Sequence, residues 1–252
     1  TENNCRRFCR YGEEILMLIA IYSLVILAVT TLGAFVGLGG GVIIKPVLDF
    51  IGEEPRMQVD FLSAVAVFTM SVISTGKQIK NKVSFHKNIV VFIAVGSIAG
   101  GFLGSYVMDL LSSIAEQGII RCIQAFTLAI LLASVCFYVA KERKSFHVKN
   151  DFAIVFVGLA LGFIASFLGI GGGPINVAVL TLFFSMNVKE SAVYSVAIIF
   201  FSQLSKLVTI FASSGIEPYA HQWKTLIFIL PAAVLGGIIG SKFNRKFDDK
   251  LI

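Results

Sequence analysis

"GLGGG", residues 37–41, places four glycines in five positions of a stretch otherwise apolar enough to be one unbroken membrane helix. A second block, "GIGGG" at 169–173, follows about half a chain later. As one helix, Ile15 to Phe50 would reach roughly 54 Å, well beyond a hydrocarbon core of about 30 Å. The segment must turn or break. Glycine tolerates positive φ and carries the largest helix penalty short of proline, so the glycine block marks the place. This predicts a full helix running into each block and a short helix after it, at 42–50 and at 174–185. Pro174, directly after the second block, suits the first turn of a new helix.

The rest of the chain fits a membrane setting. Hydrophobic side chains make up 56% of it, charged ones 14%, and the mean hydropathy is +0.86. A soluble domain carries about 25% charged residues, so that class is excluded. Apolar runs long enough to span lie at 15–36, 88–108, 119–140, 152–168 and 222–241. Two more, 59–76 and 188–212, are richer in Ser, Thr and Gln and read as inward-facing helices. The first run is not a secretory signal, because it continues past Gly41 and its pattern recurs in mid-chain.

The net charge of +6 lies in the connections. Lys77, Lys80, Lys82 and Lys87 form one cluster, Lys141, Arg143, Lys144 and Lys149 a second, and Lys242, Arg245, Lys246 and Lys250 a third, as expected of loops on the cytoplasmic side of a cell membrane. No folded polar domain is available to present a nucleic-acid surface. Cys5 and Cys9 lie near the N-terminus, Cys122 and Cys136 in an apolar run, and His86, His147 and His221 in separate loops, a pattern without metal-ligand spacing. No cofactor is expected.

Sliding the sequence against itself gives a match at an offset of about 132 residues. "GLGGGVIIKPVL" pairs with "GIGGGPINVAVL", "SVIS" at 71–74 with "SQLS" at 202–205, and "GGFLGS" at 100–105 with "GGIIGS" at 236–241. The expected fold is an all-α polytopic membrane protein of two homologous four-helix repeats, each opening with a Gly-broken helix or re-entrant hairpin. Its parts are a polar arm at 1–14, a first repeat at 15–140, a basic loop at 141–151 and a second repeat at 152–252. The run at 119–140 has no partner in the second half, so the last helix of that repeat is absent from this chain. The natural protein is expected to continue for about 20 residues, one further span.

A helix broken inside a membrane leaves N–H groups that need a partner, and a helix start favours anions. Two such starts near the midplane form the arrangement in which secondary transporters bind substrate between repeats. The candidate substrate-binding residues are Gly39, Gly40 and Gly41 in the first block, and Gly171, Gly172 and Gly173 with Asn176 at the second. Lys45, one turn after Gly41, and Lys206, beside Gln203 and Ser205, lie at depths where an ionised lysine is costly. No acidic residue within the spans is expected to pair with them, so they await an anionic ligand or snorkel to the headgroups. Ser71 and Ser74 recur as Ser202 and Ser205; such pairs either bond back to their own helices or line an anion route. By contrast, Gly96, Gly100 and Gly104, like Gly236 and Gly240, are spaced for close helix packing.

These blocks together resemble the sulfite exporter TauE/SafE family, also called TSUP transporters. The resemblance rests on "GLGGGVIIKPVLDFIG" at 37–52, "GIGGGPINVAVLTLFF" at 169–184 and the "GGFLGS"/"GGIIGS" pair. It implies a polytopic transporter, not an enzyme, for small sulfur-containing anions such as sulfite, organosulfonates or thiosulfate. An H+ or Na+ gradient would be the coupling partner, and a homo-oligomer is compatible with it. An anion channel, or a transporter of other small organic anions, is the alternative. Re-entrant hairpins are favoured because they bring both glycine turns to one central site.

Overall fold

The computed structural model describes residues 2–51, 55–80, 87–140, 150–215 and 217–246. Its elements are α1 (Glu2–Val36), α2 (Gly41–Ile51), α3 (Arg56–Lys80), α4 (Lys87–Ile114), α5 (Gln117–Ala140), α6 (Asp151–Leu168), α7 (Gly173–Phe184), α8 (Val188–Ser214) and α9 (Trp223–Lys246), with a short 3-10 turn at Glu217–Gln222 before α9. Among the described residues seven helices are long and apolar enough to cross a membrane. Both short helices stand where the glycine blocks predict them. The polar stretch before the first span is helical from Glu2 and continuous with α1. Because α1 is membrane-apolar only over Met17–Val36, its polar start extends the helix beyond the span.

Local chemistry fixes the starts and stops. The Asn150 side chain caps α6 by accepting from the Phe152 amide at 3.1 Å, and Asn187 caps α8 by accepting from Glu190 at 2.7 Å. The two glycine turns share one backbone path: φ is 78, 72 and 69° at Gly37, Gly39 and Gly40, and 71, 76 and 69° at Gly169, Gly171 and Gly172. Three left-handed residues in four are tolerable only to glycine.

The turns also pack on one another, reciprocally. A Cβ on Gly41 would strike the carbonyl of Ile170, and one on Gly173 would strike that of Leu38. Ser195 of α8 donates to the Gly37 carbonyl at 2.7 Å, with the Gly173 carbonyl 3.4 Å from the same hydroxyl. The second turn is thereby fastened to the first.

Packing registers give the helix directions. Gly96, Gly100 and Gly104 of α4 lie in turn against Val155, Leu159 and Phe163 of α6, so these helices run parallel with backbones in contact. Gly236 and Gly240 of α9 lie against Thr30 and Thr31 of α1, and Asn244 donates to the Phe35 carbonyl at 2.6 Å, again in parallel. These are the two most extensive interfaces, and glycine allows them because lipid offers no hydrophobic drive and close van der Waals contact must serve instead. Gly237 against Met70 and Ser241 bonded to Ser74 make α9 parallel to α3. Phe68 stacks on Phe200 and Phe61 meets Phe211 edge-on, which makes α3 and α8 antiparallel.

Helices α1, α3 and α9 therefore run one way, and α4, α6 and α8 the other. Since α1 and α3 share a direction, α2 between them must return, and α7 does the same between α6 and α8. The first turns of α3, α5 and α9 and the last turns of α4 and α8 gather at one end of the bundle, and α6 stops short of it, where its glycine turn meets that of α1.

Candidate functional site

Lys45 lies in the second turn of α2 and Lys206 on α8, with side chains only 5% and 8% exposed. Between them stands Asp60, in the first turns of α3. The Lys45 ammonium is 2.6 Å from Asp60 Oδ1 and donates to Gln124 Oε1 at 2.8 Å and to the Leu168 carbonyl at 3.1 Å. The Lys206 ammonium is 4.0 Å from the same Oδ1. Gln124 of α5 in turn donates to the Phe167 carbonyl at 2.7 Å. All three charges crowd Gly169: a Cβ there would come within 2.9 Å of each. Lys45 and Gln124 thus satisfy the terminal carbonyls of α6, where the helix dipole is negative and favours a cation.

This arrangement corrects the expectation that no acid within the spans pairs with the lysines. Asp60 reads in sequence as a residue flanking a loop, but the returning α2 and the antiparallel crossing of α3 and α8 carry it between both ammonium groups. Lys45 is bonded to three oxygens and does not snorkel; its partner is Asp60 rather than an awaited ligand.

A cavity of about 430 Å³ leads to this cluster. Its rim holds the exposed Asp109, Ser112 and Ser213, and its floor the buried Ser105, Ser166, Gln124 and Lys206 beside Asp60. The lining residues come from the start of α3, the ends of α4, α6 and α8 and the start of α5, so the cavity opens at the end of the bundle where these meet. The hydroxyls of Ser105 and Ser166 are buried and make no hydrogen bond among the described residues. Two free hydroxyl donors and an ammonium on one floor can hold an oxyanion. A second space of about 320 Å³, between α2 and α5, borders Lys45 and Gln124 from the other side; Arg121 and Asp49, 3.6 Å apart, line it as well.

The other expected site residues divide. Gly39, Gly40, Gly41, Gly171, Gly172 and Gly173 form the packed turns, Gly39 against Ile199 and Gly171 against Val67 and Ile199. Asn176 and Gln203 are fully buried beside the second turn, and neither amide makes a hydrogen bond among the described residues. Gln203 sits one turn of α8 from Lys206, on the same face, so the second glycine turn and the charged cluster are contiguous. The four serines bond locally: Ser71 to the Phe68 carbonyl, Ser202 to that of Ile199, Ser205 to that of Phe201, and Ser74 to Met70 while accepting from Ser241. None of them lines either cavity.

Sequence reasoning missed Asp60, Gln124, Ser105 and Ser166. Gln124 had a signal of its own, an amide within the apolar run at 119–140. Ser105 closes the quoted "GGFLGS" block, but only the fold turns it towards the cavity.

The chain was compared with known proteins. The family model described as Sulfite exporter TauE/SafE matches residues 22–252. "Probable membrane transporter protein YunE" of Bacillus subtilis (strain 168) is 29% identical over 88% of this chain and 87% of its own. "Probable membrane transporter protein MJ0441" of Methanocaldococcus jannaschii is 25% identical over 94% of this chain and 90% of its own. No solved structure matches.

Proposed function

The chain belongs to the sulfite exporter TauE/SafE family of membrane transporters, and on that premise we propose that it is a secondary transporter of small sulfur-containing anions whose substrate binds on the floor of the larger cavity. One observation carries this reading: Lys206 shares that floor with the unbonded, buried hydroxyls of Ser105 and Ser166. Sulfite, thiosulfate and sulfonates present oxygens in a compact pyramid or tetrahedron, which suits one cation and several donors converging from different helices. The second glycine turn borders the site and holds its charges around Gly169, and Gln203 with Asn176 continues the polar surface inward.

A carrier is favoured over a channel. Beyond the floor the two glycine turns meet backbone to backbone, Gly41 on Ile170 and Gly173 on Leu38, a packed junction rather than an open pore lining. Ser74 with Ser241, and Asn244 with Phe35, link helices at the opposite end.

The two halves are best read as inverted repeats. Support comes from the shared glycine backbone path, the reciprocal turn contacts, the parallel pairs α4–α6 and α1–α9, and the antiparallel crossing of α3 with α8. The three basic clusters belong to the end of α3 and its connection to α4, the connection from α5 to α6, and the end of α9. The described helix ends that flank them, those of α3, α5 and α9 and the starts of α4 and α6, lie opposite the cavity mouth; placing the basic clusters in the cytoplasm by the positive-inside rule leaves the cavity open outward across the plasma membrane.

The test is binding of isethionate, a permanently ionised sulfonate, and of sulfite to the purified full-length protein, followed by counterflow in proteoliposomes. Saturable exchange, weakened at least tenfold by Lys206→Met, is expected. Unsaturable currents with no exchange would favour a channel, and unchanged affinity in Lys206→Met would remove the site.

A further inference from the structure

The charged cluster holds two ammonium groups and one carboxylate, and their positions relative to the two cavities divide their roles: Lys206 lines the larger one and Lys45 the smaller. Lys45 is saturated by Asp60, Gln124 and the Leu168 carbonyl. Lys206, 4.0 Å from Asp60 and on the cavity floor, is the cation placed to receive an anion. Asp60 is 17% exposed and lines the same cavity, so water reaches it from the open end.

Resting on the anion-transport reading above, we propose that Asp60 is the proton-coupling carboxylate: one proton binds Asp60 for each anion that binds Lys206, and the two cross together. An anion on Lys206 sits beside the carboxylate that already shares that ammonium. Two negative charges a few ångströms apart in a poorly solvated site repel strongly, and uptake of a proton by Asp60 from cavity water relieves this. The proton bonds to a carboxylate oxygen; the carbonyl oxygen that remains still accepts from Lys45, so α2 and α3 stay joined. On the far side the proton returns to water and the anion leaves, restoring the pair.

Charge bookkeeping agrees. The empty site with ionised Asp60 and the loaded site with protonated Asp60 both carry one net positive charge, so neither form meets an extra electrostatic cost in the membrane. By linkage, anion and proton each tighten the other's binding by the same factor. Among the described residues, the charged and titratable groups that face or neighbour Asp60 are Lys45 from α2, Lys206 from α8, Asp109 from α4 across the cavity, and Tyr219 from the 3-10 turn. The remaining ones, Arg121 and Asp49, lie on the far side of Gln124, paired with each other.

The test uses full-length protein in proteoliposomes with the membrane potential clamped at zero and a trapped pH dye. Wild type should accumulate isethionate about tenfold per pH unit of an alkaline-inside gradient and acidify the lumen by one proton per sulfonate. Asp60→Asn, which fixes the uncharged form, should lose both the gradient-driven accumulation and the acidification, and whatever exchange it retains should not depend on pH. Asp60→Glu should restore both. Gradient-driven accumulation persisting in Asp60→Asn overturns the proposal. So does wild type that takes up sulfonate on net without acidifying the lumen, a readout that needs no variant to fold. Absence of exchange in wild type overturns the transport reading itself.

Discussion

The ammonium of Lys45 lies 2.6 Å from a carboxylate oxygen of Asp60, joining the returning half-helix α2 to the first turns of α3 at the bottom of an open cavity. A buried pair of this kind is costly to break singly, because the surviving charge keeps its desolvation penalty and loses its partner.

Lys45→Met should therefore destabilise the protein by about 3 kcal/mol, and Asp60→Leu by a similar amount. The double variant should cost clearly less than the two singles combined, since the lost interaction is counted once. Thermal unfolding in detergent of all four members of the cycle measures this; strict additivity would mean that the pair is not coupled.

Ser166 should be dispensable for folding and needed for binding. Its buried hydroxyl has no partner among the described residues, so Ser166→Ala should leave the unfolding temperature unchanged or slightly raised. If that hydroxyl donates to the substrate, affinity should fall about 5- to 10-fold, the worth of one hydrogen bond of roughly 1 kcal/mol. Lys206→Met, which removes a charge-assisted bond, should cost roughly 10- to 100-fold. Equal effects of the two would argue against the assigned floor.

The glycine turns should resist even a methyl group. Gly173→Ala would set a Cβ on the Leu38 carbonyl, and Gly41→Ala one on that of Ile170. Backbone cannot yield as a flexible side chain does, so each should cost about 1–3 kcal/mol, the range for overpacking. Gly76 and Gly118 have nothing within 4 Å of a Cβ and lie inside helices; alanine there should stabilise by up to about 1 kcal/mol. Unfolding temperatures of the four variants should split into these two pairs.

The cavity predicts sided access. In a background where Cys5, Cys9, Cys122 and Cys136 are replaced, Ser112→Cys and Ser213→Cys at the rim should react with a membrane-impermeant maleimide added to intact cells. Ser241→Cys, bonded to Ser74 at the opposite end, should remain unlabelled until the cells are opened. The reverse pattern would invert the proposed orientation.

Much of this protein is legible in its sequence because the membrane enforces simple rules. Span length and hydropathy locate the seven helices long and apolar enough to cross a membrane among the described residues, since unpaired backbone is intolerable in hydrocarbon. The arithmetic of 15–50 demands a break, and only the glycines can make one, so both short helices stand where the sequence predicts. Glycines spaced by four likewise announce that α4 and α9 pack closely on neighbours, because a missing side chain matters only where backbone approaches backbone; that the neighbours are α6 and α1 is seen only in the fold.

The site was not legible in the same way. Nothing between Lys45, Asp60, Gln124 and Lys206 in sequence says that they meet, as each lies on a different helix and their partnership depends on which way α2 returns and how α3 crosses α8. Side-chain roles turned on the same geometry. Four serines that recur in both halves bond to their own helices, Ser74 also accepting from Ser241, while Ser105 and Ser166 are left facing the cavity. Local periodicity and solvation fix where helices begin and end; only tertiary packing decides which buried polar groups meet, because a charge in a membrane is satisfied by whatever the fold brings beside it.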